Sequence, residues 1–178
     1  MELPGTGYLY TLAGIAMTFV GFTVLIAVLR QTLSGHVTAI HIFATRMTIQ
    51  LGLMTVLGSM LAPLLALSTL PAAAVWRLSS AVMAVILGYW TVTYPKRRIA
   101  ASPVVVPPLV WALIGILGLG DVAFIANAAA PWGDNSVVLY AGGVSSILFV
   151  AAMLFLAGLW FLIANEPLIE APKRRRKP

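Results

Sequence analysis

Pro107–Ala130, PPLVWALIGILGLGDVAFIANAAA, carries one charge in 24 residues, and that charge is Asp121. At 1.5 Å per residue a helix of this length measures roughly 36 Å, enough to cross the ~30 Å hydrocarbon layer of a bilayer. The prolines that open it suit a first helical turn, where a missing N–H would have no partner anyway. The stretch PWGDN at 131–135 follows as a strong turn signal. The segment reads as a membrane-crossing helix with a carboxylate in its interior. It sets the frame for everything on either side.

Working outward, four more apolar runs have the same character. Tyr8–Leu29 holds 22 residues without a charge and is closed by Arg30. Met47–Leu67 is uncharged, and its helix is expected to begin earlier, near His36, as an interfacial extension. Ala72–Tyr94 carries Arg77 in its second turn, with Pro95 and Lys96-Arg97-Arg98 expected to end it. Val137–Ala164 completes the set. The expected fold is all-α: one five-helix transmembrane bundle over 1–170 and a basic tail over 171–178. The spans are 8–29, 47–67, 72–94, 107–130 and 137–164.

Composition agrees. Of 178 residues, 61% are hydrophobic and 9% charged, with a mean hydropathy of +0.99. An ordinary soluble domain carries roughly 25% charged residues and needs a polar exterior. There is no Cys, which excludes disulfides, thiolate metal sites, iron–sulfur clusters and cysteine nucleophiles. Met1-Glu2-Leu3-Pro4 lacks the basic opening of a cleavable signal peptide, and the first apolar run is too long for one.

Charge placement gives an orientation. With five spans, Arg30, Arg46, Lys96, Arg97, Arg98 and the five basic residues of the tail fall on one side, and Arg77 alone on the other. The positive-inside rule then puts the N-terminus outside and the C-terminus in the cytoplasm, as expected in a bacterial-type plasma (inner) membrane. Tyr8, Tyr10, Trp76, Trp132 and Tyr140 fall near the outer ends, and Trp90, Tyr94, Trp111 and Trp160 near the inner ones. Both sets are expected to form interfacial belts. The tail Lys173-Arg174-Arg175-Arg176-Lys177 is expected to bind anionic headgroups at about 1 kcal/mol per residue near the surface. No folded reader accompanies it, so nucleic acid is not an expected partner.

Asp121 is the main functional candidate. A carboxylate at that depth costs at least about 2.5 kcal/mol and should face protein or water. It serves as an ion, proton or pore-lining site, as a structural pair with Arg77, or as a polar packing residue. Asn127 is expected near the outer interface, off the face that Asp121 occupies, and with Gln50 and His41 it joins Asp121 as a candidate to line a pore or ion site. Gln50 should find a partner inside the bundle. Thr45, Thr48, Gly52, Thr55 and Ser59, preceded by Thr38 and His41, follow steps of three and four on one helix face. That face suits close helix packing; its alternative is the wetted wall of a pore with His41 at the mouth. Gly14 with Gly21, Gly58 with Ala62, and Ala141 with Ser145 mark further small-residue faces.

His36 and His41, five apart, cannot chelate one metal in the manner of an i, i+4 pair, so no metal is expected, and no cofactor. No catalytic constellation is visible, and GILGLGD lies inside a span with no strand before it, so it is not a dinucleotide fingerprint. The expectation is a non-catalytic membrane protein: a homo-oligomeric channel using Asp121, or an accessory subunit packed against another membrane protein. A membrane enzyme or cofactor carrier stands behind both.

Overall fold

The computed structural model describes residues 3–34, 39–101, 108–130, 132–133 and 135–164, with side chains for all of these except 30, 33, 34, 39–41 and 161–164. The described chain is all-helical: α1 Thr6–Ser34, α2 Ala39–Leu65, α3 Ala72–Ala101, α4 Pro108–Ala129 and α5 Asn135–Ala164. Each contains a window long and apolar enough to cross a membrane. Expectation and structure agree on five helices of membrane-crossing length, and several helices run beyond the expected spans. α2 starts at Ala39, well ahead of Met47, and α4 begins on Pro108.

Two boundary expectations change. Pro95 does not end α3; the helix runs through it to Ala101 and carries Lys96, Arg97 and Arg98 on its last turns. A proline inside a helix removes one hydrogen bond, and apolar packing on both sides of the break can hold the helix together. Tyr94, just before it, is buried against Trp90 and Phe43. The aromatic belt is also only partly a belt. Tyr8, Tyr10, Trp111, Trp132 and Trp160 are exposed, but Trp76, Trp90, Tyr94 and Tyr140 are core residues. The helix face on which each ring sits decides this. Trp76 and Phe124 pack at an angle on Tyr140, with centroids 5.3 and 5.4 Å away, so large rings fill the inner side of the bundle near one end.

α2 and α5 form the central wall. α5 touches all four other helices, and α2 touches α1, α3 and α5. Among the described residues α1 packs only on α2 and α5, while α4 packs only on α3 and α5. Small residues set the approaches. A side chain at Gly52 would meet Val20 Cγ2 at 2.5 Å, so the glycine is where α1 seats on α2. On α4, a side chain at Gly120 would collide with Ser146 Oγ and come within 3.4 Å of the Gly143 carbonyl on α5. Tyr140 Oη donates to the Gly58 carbonyl at 2.6 Å, tying α5 to α2. Outward faces are rich in leucine, valine and isoleucine, the composition that lipid requires.

Candidate functional site

The α3/α4 seam is antiparallel, and its register is fixed by three contacts. Arg77 Nε donates to the Ala128 carbonyl at 3.1 Å, Asn127 Nδ2 donates to Ser80 Oγ at 2.8 Å, and Asp121 lies against Gly88. This register overturns the Asp121–Arg77 pair. Arg77 sits eleven residues before Gly88, roughly 16 Å along α3. It binds the end of α4, where a cation also meets the negative end of the helix dipole. No ion pair to Asp121 exists among the described residues.

Asp121 occupies the flank of α4. The core face of that helix is Leu113, Leu117, Gly120, Phe124 and Asn127, whereas Leu119, Val122 and Ile125 are exposed. Asp121 lies between these faces and turns toward α3. A methyl group at Gly88 would stand 3.1 Å from Oδ2, so the absence of a side chain there makes room for the carboxylate. The other oxygen, Oδ1, is enclosed and has no hydrogen-bond partner. It is one of four such side-chain atoms among the described residues; the others are Ser59 Oγ, Thr91 Oγ1 and Asn127 Oδ1. All four lie on α2, α3 or α4. Enclosed polar groups without partners are rare, and each one is informative.

The remaining candidates are placed as follows. Asn127, two residues from the end of α4, is fully buried and joins three helices, with Nδ2 bonding Ser80 Oγ on α3 and, at 3.0 Å, the Ser136 carbonyl on α5. Close by, Trp132 Nε1 donates to the Ala126 carbonyl at 2.8 Å, near the C-terminal end of α4. Gln50 has the interior partner that its depth demands, accepting from Trp90 Nε1 at 3.3 Å. Thr48, Gly52, Thr55 and Ser59 are buried between helices, as a packing face should be. Thr45, half-buried, lines a cavity of about 50 Å³ with Thr23 and Thr48 between α1, α2 and α5. That volume holds one or two waters. The side chain of His41, His36, and the tail residues Lys173–Lys177 lie outside the described residues.

Reading the sequence alone passed over Thr91, Gly88 and Ser80. A signal for the first was present. Ser59-x-x-x-Pro63 and Thr91-x-x-x-Pro95 share one spacing, and in both the hydroxyl at the first position is enclosed without a partner. Other helical threonines return theirs to the carbonyl four residues back, as Thr23, Thr48, Thr55 and Thr93 do. No group of three or more His, Cys, Asp or Glu side chains that could hold a metal ion occurs among the described residues. No family model matches this chain, and neither a curated protein nor a solved structure is significantly similar to it.

Proposed function

We propose that the protein is a non-catalytic, multi-pass membrane protein that works as a homo-oligomeric, ion-conducting assembly with Asp121 as its intramembrane ionisable group. In this reading it sits in a bacterial-type plasma membrane, N-terminus outside and C-terminus cytoplasmic, with its basic tail on anionic lipid. The Lys and Arg asymmetry supports that orientation. The observation that carries the function is the Asp121 carboxylate itself: half-buried, without a counter-charge, and flanked by Gly88 and Gly118 at the edge of the bundle. An ionisable residue within a membrane helix is by default a functional-site candidate, and rings of carboxylates line cation-selective pores.

The protomer's interior is filled by Met83, Leu87, Leu117, Phe124, Tyr140 and Ile147, so the proposed path runs beside the α3/α4 seam, between protomers. Purified protein in liposomes is expected to pass cations. Asp121→Asn should abolish cation preference while the oligomer survives, and Asp121→Glu should retain part of it. Unchanged selectivity in Asp121→Asn refutes the assignment.

A second reading, an accessory subunit bound to another membrane protein, draws on α1. Gly7, Thr11, Gly14, Thr18 and Gly21 line one exposed face, and side chains placed at the three glycines would meet nothing within 4 Å. Such faces receive a neighbouring helix. An isolated protein that is monomeric and conducts nothing favours this second reading.

A further inference from the structure

Two side-chain oxygens about one helical turn apart along the α3/α4 seam lack the partners that their burial calls for. Asp121 Oδ1 and Thr91 Oγ1 are enclosed and unbonded. Beside them runs the main-chain carbonyl of Thr91, which loses its ordinary helical donor. In a continuous helix it would accept from the N–H four residues on, but that residue is Pro95, which has none. Gly88, Thr91 and Pro95 follow at i, i+3 and i+7 and share the face of α3 that Asp121 packs against. Thr91 lies one helical turn beyond Gly88, a rise of roughly 4.5 Å. Its hydroxyl does not turn back to the Leu87 carbonyl, although Thr93, two residues later, bonds the Tyr89 carbonyl at 2.8 Å. A carbonyl freed by proline in a membrane helix has to be satisfied again by a neighbouring group, and backbone oxygens freed in this way coordinate cations where membrane helices are interrupted.

We propose that Asp121 and Thr91 hold a small monovalent cation of the sodium class in the α3/α4 seam. The ligands from this chain are the Asp121 carboxylate, the Thr91 hydroxyl and the Thr91 carbonyl. All are hard oxygen donors, and together they carry a single negative charge. One charge selects a monovalent ion, because a neutral complex is the form that hydrocarbon tolerates and a divalent ion would leave a net positive charge buried. A water molecule would satisfy hydrogen bonds but leave the carboxylate uncompensated. A proton would neutralise Asp121 and leave both Thr91 oxygens as they are. The cation answers all three groups. Gly88 contributes by absence, since a side chain there would occupy the space of Oδ2.

This site deepens the ion-conducting reading, and it is tested without reference to conduction. The full chain, solubilised as single protomers, is unfolded thermally in sodium chloride and in choline chloride at matched ionic strength. Sodium at a hundredfold excess over its dissociation constant should raise the midpoint by roughly 5 °C or more. Asp121→Asn should lose that response. Thr91→Val should weaken sodium affinity at least about tenfold, as loss of a supporting ligand typically does, and Thr91→Ser should restore it. If Asp121→Asn fails to fold, the Thr91 pair decides alone. Equal midpoints in sodium and choline, or Thr91→Val with the native sodium response, overturn the site. Conduction that persists with no sodium response sinks the site but not the channel; a sodium response with no conduction sinks the channel but not the site.

Discussion

Asn127→Asp is the substitution for which the structure demands the largest cost from the smallest change. The two side chains differ by one atom and are nearly the same size. Yet Asn127 is fully buried, and its amide nitrogen faces two acceptors, Ser80 Oγ at 2.8 Å and the Ser136 carbonyl at 3.0 Å. Replacing that nitrogen by a carboxylate oxygen removes both donors. Interhelical bonds in membranes average about 0.6 kcal/mol each, so this loss is worth roughly 1 kcal/mol. The uncompensated charge matters more, because it costs about 3–5 kcal/mol in a protein interior. Taking up a proton at pH 7 instead costs about 4 kcal/mol, since an aspartate ordinarily titrates about three units lower. Either route gives a loss of about 4–6 kcal/mol.

Asn127→Leu tests the other side of the argument. It forfeits the same two bonds but also removes Oδ1, which has no partner. Its cost should stay near 1 kcal/mol, although it changes shape more. Equilibrium unfolding in mixed detergent, followed by the fluorescence of the five tryptophans, measures both. If Asn127→Asp lies within 1 kcal/mol of the native protein, or is milder than Asn127→Leu, then Asn127 is not enclosed between α3 and α5 and the packing of α4 against them is wrong.

Gly120→Val should cost at least about 2 kcal/mol, because its side chain lands on Ser146 and the Gly143 carbonyl, whereas Gly118→Val, with open space before it, should change stability by under about 1 kcal/mol. The same unfolding assay compares them, and equal effects would contradict the α4–α5 approach. Trp90→Phe removes the donor to Gln50 while keeping most of the ring packing, and should cost about 0.6–1.7 kcal/mol. A Trp90→Phe,Gln50→Leu double variant should then lose no more than the sum of its parts, which a double-mutant cycle reads directly.

How much of this was legible in the sequence depends on the length scale of each question. Span number followed from run length and charge placement, quantities set by the bilayer and not by the neighbours of any one residue. The α2 stripe was legible because Thr48, Gly52, Thr55 and Ser59 follow helical period, and period survives without knowledge of the partner. Register was not legible. Arg77 and Asp121 occupy the same half of the membrane by counting, and an arginine reaches several ångström, but the α3/α4 seam is staggered so that Arg77 meets Ala128. The aromatic residues mislead for a related reason. Position near a span end suits a ring to the interface, but a helix end has an inner side too, and Trp76 and Tyr140 lie on it. Pro95 reads as a stop when local rules are applied alone; tertiary packing carries the helix through it.

The bundle also constrains how copies can meet. The open glycine face of α1 and the Asp121 seam belong to helices that do not touch: α1 packs on α2 and α5, and neither α3 nor α4 reaches it among the described residues. A symmetric dimer through two α1 faces would therefore leave both Asp121 flanks uncovered, and it closes with two copies. A head-to-tail contact, with α1 of one protomer on the α3/α4 edge of the next, covers Asp121 in every copy and repeats until a ring closes. Only the second arrangement places a path between protomers at Asp121. The chain has no native cysteine, so introduced pairs report contacts cleanly. Gly14→Cys in one copy and Val122→Cys in another, both at exposed positions, should form a disulfide in the membrane if the ring exists. Cross-linking confined to Gly14→Cys with itself, trapping dimers and nothing larger, would refute the ring and with it the proposed conducting path.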